Sequence, residues 1–190
     1  MSDKPTYLGL LNAIAVAESR AHEYLSAWAD RSSNDDVRAV LRTVAAREGE
    51  HGMSFAKRVN ELGYEVRVKD PDEGARAMAI ATSDTSDLEK MKALELHRLD
   101  TGDRPDIFDN FFRDHSIDVR TGELLGRYIA EERDSARLFR SCYEQLARAA
   151  GEDDHRGEGL DELNRKVDGL CRAVEELRQI VCAQSMPATP

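Results

Sequence analysis

The sequence predicts an all-helical protein, a four-helix bundle followed by one further helix. Three observations carry that reading. The composition is rich in Ala, Leu, Glu and Arg and poor in aromatics, with only 5 Pro in 190 residues, a balance typical of helical chains. Apolar residues recur at spacings of three and four, not two. The gaps between these periodic stretches carry residues that start and stop helices. The length suits one domain with a substantial core rather than two.

The first helix is expected over residues 7–29, with Leu8, Leu11, Ile14, Ala15, Leu25 and Trp28 on or near one face. Ser32-Ser33-Asn34-Asp35-Asp36 ends it and starts a second helix, which Gly63 closes. Residues 64–85 are mixed, with Asp70-Pro71 and Gly74 as breakers and a short helix over 76–80. They read as the long connection between two halves of a bundle. Ser86-Asp87-Leu88-Glu89 is a capping box that opens a third helix, ending before Thr101. Pro105 can start a short helix that carries Phe108, Phe111 and Phe112 as a hydrophobic plug. Ser116 is the expected cap of a fourth long helix reaching about residue 150.

The bundle thus spans residues 1–150, a hydrophilic linker 151–159, a C-terminal coiled-coil helix 160–183 and a disordered tail 184–190. In the coiled-coil helix, Leu160, Leu163, Val167, Leu170, Val174, Leu177 and Val181 alternate at three and four. Val mostly at a and Leu at d favours a parallel two-stranded coiled coil, so a homodimer is expected. Gly169 and a length of about three heptads weaken the seam; the other reading folds this helix back on the bundle.

The formal net charge is -10. With no basic stripe or aromatic platform, nucleic acid is not an expected partner. No apolar run is long enough for a membrane span, and the N-terminus lacks a signal-peptide core, so a cytoplasmic location is expected. Cys142, Cys171 and Cys182 form neither a disulfide framework nor a CxxC knuckle. Neither a Ser-His-Asp nor a Cys-His constellation supports an esterase or protease.

The chemistry lies in acidic residues where the helices should be apolar. The helical neighbours of Glu18 include Leu11, Ile14, Ala15 and Leu25; those of Glu48 include Leu41, Val44, Ala45 and Phe55. Both carboxylates fall on the apolar faces of their helices. Burying a carboxylate is costly unless something pairs with it. His51, one turn beyond Glu48, makes a metal ion the expected partner. The same test places Glu132 inward, beside Leu125, Tyr128, Ile129 and Phe139, whereas Glu131 looks onto a mixed surface. Glu95 shares its face with Leu88, Met91 and Leu99, but also with Lys92 and Arg98. The candidate metal ligands are therefore Glu18, Glu48, His51, Glu132 and Glu95. The competing reading holds these carboxylates by hydrogen bonds and ion pairs alone. Tyr128 and His22 are expected beside the ligands or in the core, Cys142 in the core, and His97, His115 and His155 in solvent.

Glu18-Ser19-Arg20-Ala21-His22-Glu23-Tyr24, then Glu48-Gly49-Glu50-His51 followed by Phe55-Ala56, and Ile129-Ala130-Glu131-Glu132 resemble helices of rubrerythrin-like proteins of the ferritin-like superfamily. The resemblance covers about the first 150 residues. It implies a ferritin-like four-helix bundle around a non-haem di-iron site that reacts with oxygen or peroxide or stores iron. The family carries a second Glu-x-x-His on its fourth helix, where this chain has Glu132 and Ser135. This chain also lacks the four-cysteine rubredoxin-like module, so a peroxidase cycle would need an outside reductant. Three outcomes are open: a lopsided iron or manganese site of one or two ions; a site shared across a two-fold axis; or a metal-free bundle serving as a coiled-coil dimeric adaptor.

Overall fold

The structure is a computed structural model that describes residues 4–70, 72, 74–99, 108, 111 and 113–151. The expectations for the linker from 152, the coiled-coil helix, the tail and its dimer, and for Pro105 and Phe112, lie outside the described residues. The chain divides into two units, Met1–Leu146 and Ala147–Pro190. Among the described residues all regular structure is helical: α1 (Leu8–Arg31), α2 (Asp35–Glu61), α3 (Ala75–Ala81), α4 (Asp87–Ala93), a 3-10 turn (Leu96–Arg98) and α5 (Val119–Ala149). No helix among them is long and apolar enough to cross a membrane.

The helix boundaries follow local chemistry. The Asn34 side chain accepts from the amides of Asp36 and Val37 and starts α2. At the far end Gly63 turns left-handed, with φ of 85°. The Gly63 amide then donates to the Asn60 carbonyl and that of Tyr64 to Val59, so two otherwise orphaned carbonyls are satisfied. The Ser86–Glu89 capping box forms as expected. The cap of α5 differs. Asp118, not Ser116, accepts from the Thr121 amide, while Ser116 closes a turn on the Asp114 carboxylate.

The third helix departs most from expectation. α4 stops at Ala93, and Glu95 adopts a left-handed φ of 55° before the 3-10 turn. A continued helix would have carried Glu95 inward, one turn below Met91. The break sends Glu95 outward and buries Leu96 instead, which removes the cost of an unpaired carboxylate. It also stacks His97 on Tyr143 with ring centroids 4.6 Å apart, so His97 is half-buried rather than solvated. Asp87, at the start of α4, ties it to α1 by accepting from Trp28 Nε1 at 2.6 Å and from Ser32 Oγ at 2.8 Å.

Two apolar clusters hold the long helices together. One joins Leu25, Trp28, Val37, Leu41, Val44, Met91, Leu96, Phe139 and Cys142. The other joins Leu8, Leu11, Ile14, Phe55, Val59, Leu125, Tyr128 and Ile129. α2 therefore runs antiparallel to α1, and α5 parallel to α1. Each long helix enters both clusters and leaves a gap between them: 16–24 in α1, 46–54 in α2 and 130–138 in α5. Glu18, Glu48, His51 and Glu132 fall in those gaps.

Candidate metal centre

Glu18, Glu48, His51 and Glu132 converge in this middle layer. Each presents one donor atom, and the four atoms lie within 4.8 Å of one another. Glu18, Glu48 and His51 are buried, His51 to 2% exposure. Glycines make the convergence possible. A Cβ on Gly52 would sit 2.6 Å from Ser19 Oγ and 3.0 Å from the Ser19 amide nitrogen. The close approach of α1 and α2 at Gly52 brings Glu18 within reach of the Glu48–His51 turn. Beside Gly49 lies His22, whose Nδ1 is 2.7 Å from the Ala45 carbonyl oxygen.

The imidazole of His51 is oriented from outside. Its Nε2 lies 2.6 Å from Glu131 Oε2, and Arg127 Nε in turn donates to Glu131 at 3.1 Å. Arg127 also pairs with Glu50. A carboxylate on Nε2 fixes the ring and leaves Nδ1 facing inward, the way metal-bound histidines are commonly held. His51 Nδ1 is 3.4 Å from Glu132 Oε1 and 3.8 Å from Glu48 Oε2. Neither contact is a hydrogen bond, so Nδ1 and Glu132 Oε1 face each other buried and without a hydrogen-bond partner. Such groups are rare in folded proteins and need a physical cause. A cation between them supplies one. The edge of His51 also meets the Tyr128 ring at a centroid distance of 5.0 Å.

The electrostatics agree. Burial, followed by the neighbouring Glu48, raises the Glu18 carboxyl to about 10, although Tyr128 donates to it at 2.8 Å. Burial pulls the His51 imidazole down, but the carboxylates of Glu132, Glu48 and Glu131 outweigh it and raise the ring to about 10. Burial also lifts Glu132 above the usual carboxylate range, against the pull of His51. Tyr24 is pushed up to about 12 by burial and then by Glu48, Glu18 and Glu132. Glu18 thus retains a proton that a divalent cation would displace.

Four of the five candidate ligands come together; Glu95 does not. Its side chain is 70% exposed and pairs with Arg98 at 3.4 Å. Two participants were not foreseen. By helical periodicity Glu131 faces a mixed surface, yet its arm reaches sideways to His51, with Arg127 four residues earlier as its cationic partner. Arg47 donates from Nη1 to Ser135 Oγ at 3.3 Å and from Nη2 to Asp134 at 2.7 Å. Tyr128 fills both roles considered for it, and Cys142 is a buried core residue. A cavity of about 690 Å³ opens onto Glu18, Glu48 and Glu132, walled by Tyr24, Leu96, Phe108 and Phe139. Phe108 packs edge-on against Tyr128 at 5.8 Å. A cavity of this size admits small molecules to the carboxylates. No protein family, curated protein or solved structure matches the chain.

Proposed function

We propose that this chain is a ferritin-like helical protein, related in plan to rubrerythrins, that binds iron or manganese through Glu18, Glu48, His51 and Glu132 and takes part in oxygen, peroxide or iron handling. The observation that carries the reading is the inward Nδ1 of His51, almost fully buried and without a hydrogen-bond partner, aimed among three carboxylates. Acidic clusters are common on proteins; a buried imidazole nitrogen aimed into one without a hydrogen bond is not. The donor set fits: carboxylate oxygens suit hard divalent ions, and one imidazole adds affinity for iron and manganese. Bound iron would supply Lewis acidity and one-electron redox chemistry. The protein's own part is to hold the four donors together, to orient His51 through Glu131, and to admit small oxidants along the Tyr24–Phe108 cavity. Reducing equivalents would come from an outside donor.

Glu48→Ala should abolish metal retention after loading with ferrous iron under anaerobic conditions and desalting. Unchanged metal content in a folded variant would sink the assignment. A second reading, a metal-free adaptor, is favoured by the ability of the layer to neutralise itself: Glu18 holds a proton and His51 pairs with Glu131. For either reading we propose, from the heptad spacing of residues 160–183 alone, that two chains pair. Deleting residues 159–190 should convert a sedimenting dimer to a monomer, and a truncated chain that remains dimeric contradicts the seam.

A further inference from the structure

The geometry points to a second binding site, a groove along the outer side of α1 that takes an amphiphilic anion: a free carboxylate carrying a single apolar chain. The inference is independent of the metal-binding reading, because none of the four donors lines the groove.

The first argument is what α1 leaves uncovered. Residues 8–17 contain no charged side chain, in a chain of which 34% is charged. A helix so apolar around its circumference is ordinarily enclosed on all sides. Leu8, Leu11, Ile14 and Ala15 are buried in the bundle, yet Gly9, Ala13 and Ala17, on successive turns, are exposed. The connection after α2 runs past this side of the helix and is clipped to it by Asn12. Asn12 Nδ2 donates to the Arg67 carbonyl at 2.9 Å, and its Oδ1 accepts from the Arg67 amide at 2.7 Å. The connection does not fill the space. Between it and α1 lies a groove of about 900 Å³, lined with Leu8, Ala13, Val16 and Val59, and a Cβ built on Gly9 would meet nothing within 4 Å. That volume falls in the range of small-molecule sites.

The second argument is charge. Lys4, Arg67 and Lys69 also line the groove, against one carboxylate, Glu65. Among the described residues none of these three cations forms an ion pair. Elsewhere Arg38 faces Asp35, Arg58 faces Asp118 and Arg127 faces Glu50. A local excess of unpaired cations, in a chain of net charge -10, favours an anion from solution. Lysine and arginine lay their stems along apolar surface and keep their heads at its edge, and the arginine fork matches a carboxylate. The Asn12 amide is spent on the Arg67 backbone, so beyond the charged heads only Tyr64 offers a side-chain hydroxyl. The body of the ligand is therefore apolar. From Gly9 to Ala17 the helix advances about 12 Å, the reach of an extended chain of about ten carbons.

The test titrates decanoate into the full-length protein by calorimetry. Saturable binding of one decanoate per chain is expected, with decanol and acetate each weaker by about tenfold or more. Ala13→Trp, a substitution at an exposed position, should fill the groove and abolish binding. The double variant Arg67→Glu, Lys69→Glu should weaken it about tenfold or more; it checks the site independently should Ala13→Trp misfold by circular dichroism. The absence of saturable decanoate binding refutes the proposal. Decanol binding as tightly as decanoate refutes the ligand class, and full binding by a folded Ala13→Trp refutes the location. Two other occupants have their own signatures, and either would overturn the proposal. Co-sedimentation with phosphatidylglycerol vesicles without decanoate binding would make the face a membrane contact. A lower sedimenting mass in Ala13→Trp, with no decanoate binding to the wild type, would give the face to a second copy of the chain.

Discussion

Metal binding at this centre should expel two protons near neutral pH. In the metal-free protein His51 and Glu18 each titrate at about 10, so at about pH 7 both carry a proton. A histidine ligand must be neutral and a carboxylate ligand ionised, so the ion displaces both protons. The sign follows. The free site is stabilised by protons and the bound site is not, so affinity is low in acid and rises with pH until both groups titrate. Each displaced proton is worth a factor of about ten in affinity per pH unit, or about 1.4 kcal/mol. Two protons give a factor of about one hundred, or about 2.7 kcal/mol per unit. Titration calorimetry with Mn(II) in buffers of different ionisation enthalpy reads the number directly as the slope of observed against buffer enthalpy. The slope expected is about two, falling to about one in Glu18→Gln, whose amide holds no titratable proton. Tight binding with a slope near zero would refute the reasoning, because the free layer could not then be holding those protons.

Gly52→Ala should lower both stability and metal affinity. Its Cβ meets the Ser19 hydroxyl and backbone, and since the amide cannot swing aside the helices must part, costing about 1–3 kcal/mol. An unchanged melting temperature would show that the helices do not approach as closely as described. At the far end of the molecule, partial burial pushes the Asp118 carboxyl up, but bonds from Thr121, Tyr7 and Arg58 outweigh it and hold the group well below the usual carboxylate range. A depressed carboxyl contributes its stability above the unfolded value of about 4 and loses it as pH falls below that. Asp118→Asn should therefore melt lower than wild type at neutral pH and converge with it in acid; a constant gap across that range in thermal melts would rule the ion cluster out as the cause.

The helices and the inward residues were legible in the chain because both depend on local geometry. Spacing on a helix decides which residues share a face, so an apolar stripe interrupted by Glu18, by Glu48 and His51, or by Glu132 announces a buried polar layer before any partner helix is known. Caps such as Asn34, Gly63 and the Ser86–Glu89 box act within a few residues and were legible for the same reason. Choices between competing local signals were not. Ser116 and Asp118 are both plausible caps. Asp118 prevails because it also receives Tyr7 and Arg58 from other elements. Glu95 lies on the inward face of a hypothetical longer helix, but burying Leu96 in its place is favourable once α1, α2 and α5 enclose the core.

Long side chains mark the other limit. A periodic pattern locates the Cβ of Glu131 and Arg47 beside the inward positions, but not the side-chain end several bonds farther out. Where that end goes depends on what the neighbouring helix offers: for Glu131 the Nε2 of His51, for Arg47 the hydroxyl of Ser135 and the carboxylate of Asp134. By itself, then, the sequence determined an all-helical chain with three acidic residues and one histidine turned inward, because helical periodicity is local. The tertiary structure alone decided that they meet between two apolar clusters, that Glu131 orients His51, and that an arginine stands beside Ser135, because those facts depend on the distance between helices and on side chains that reach across it.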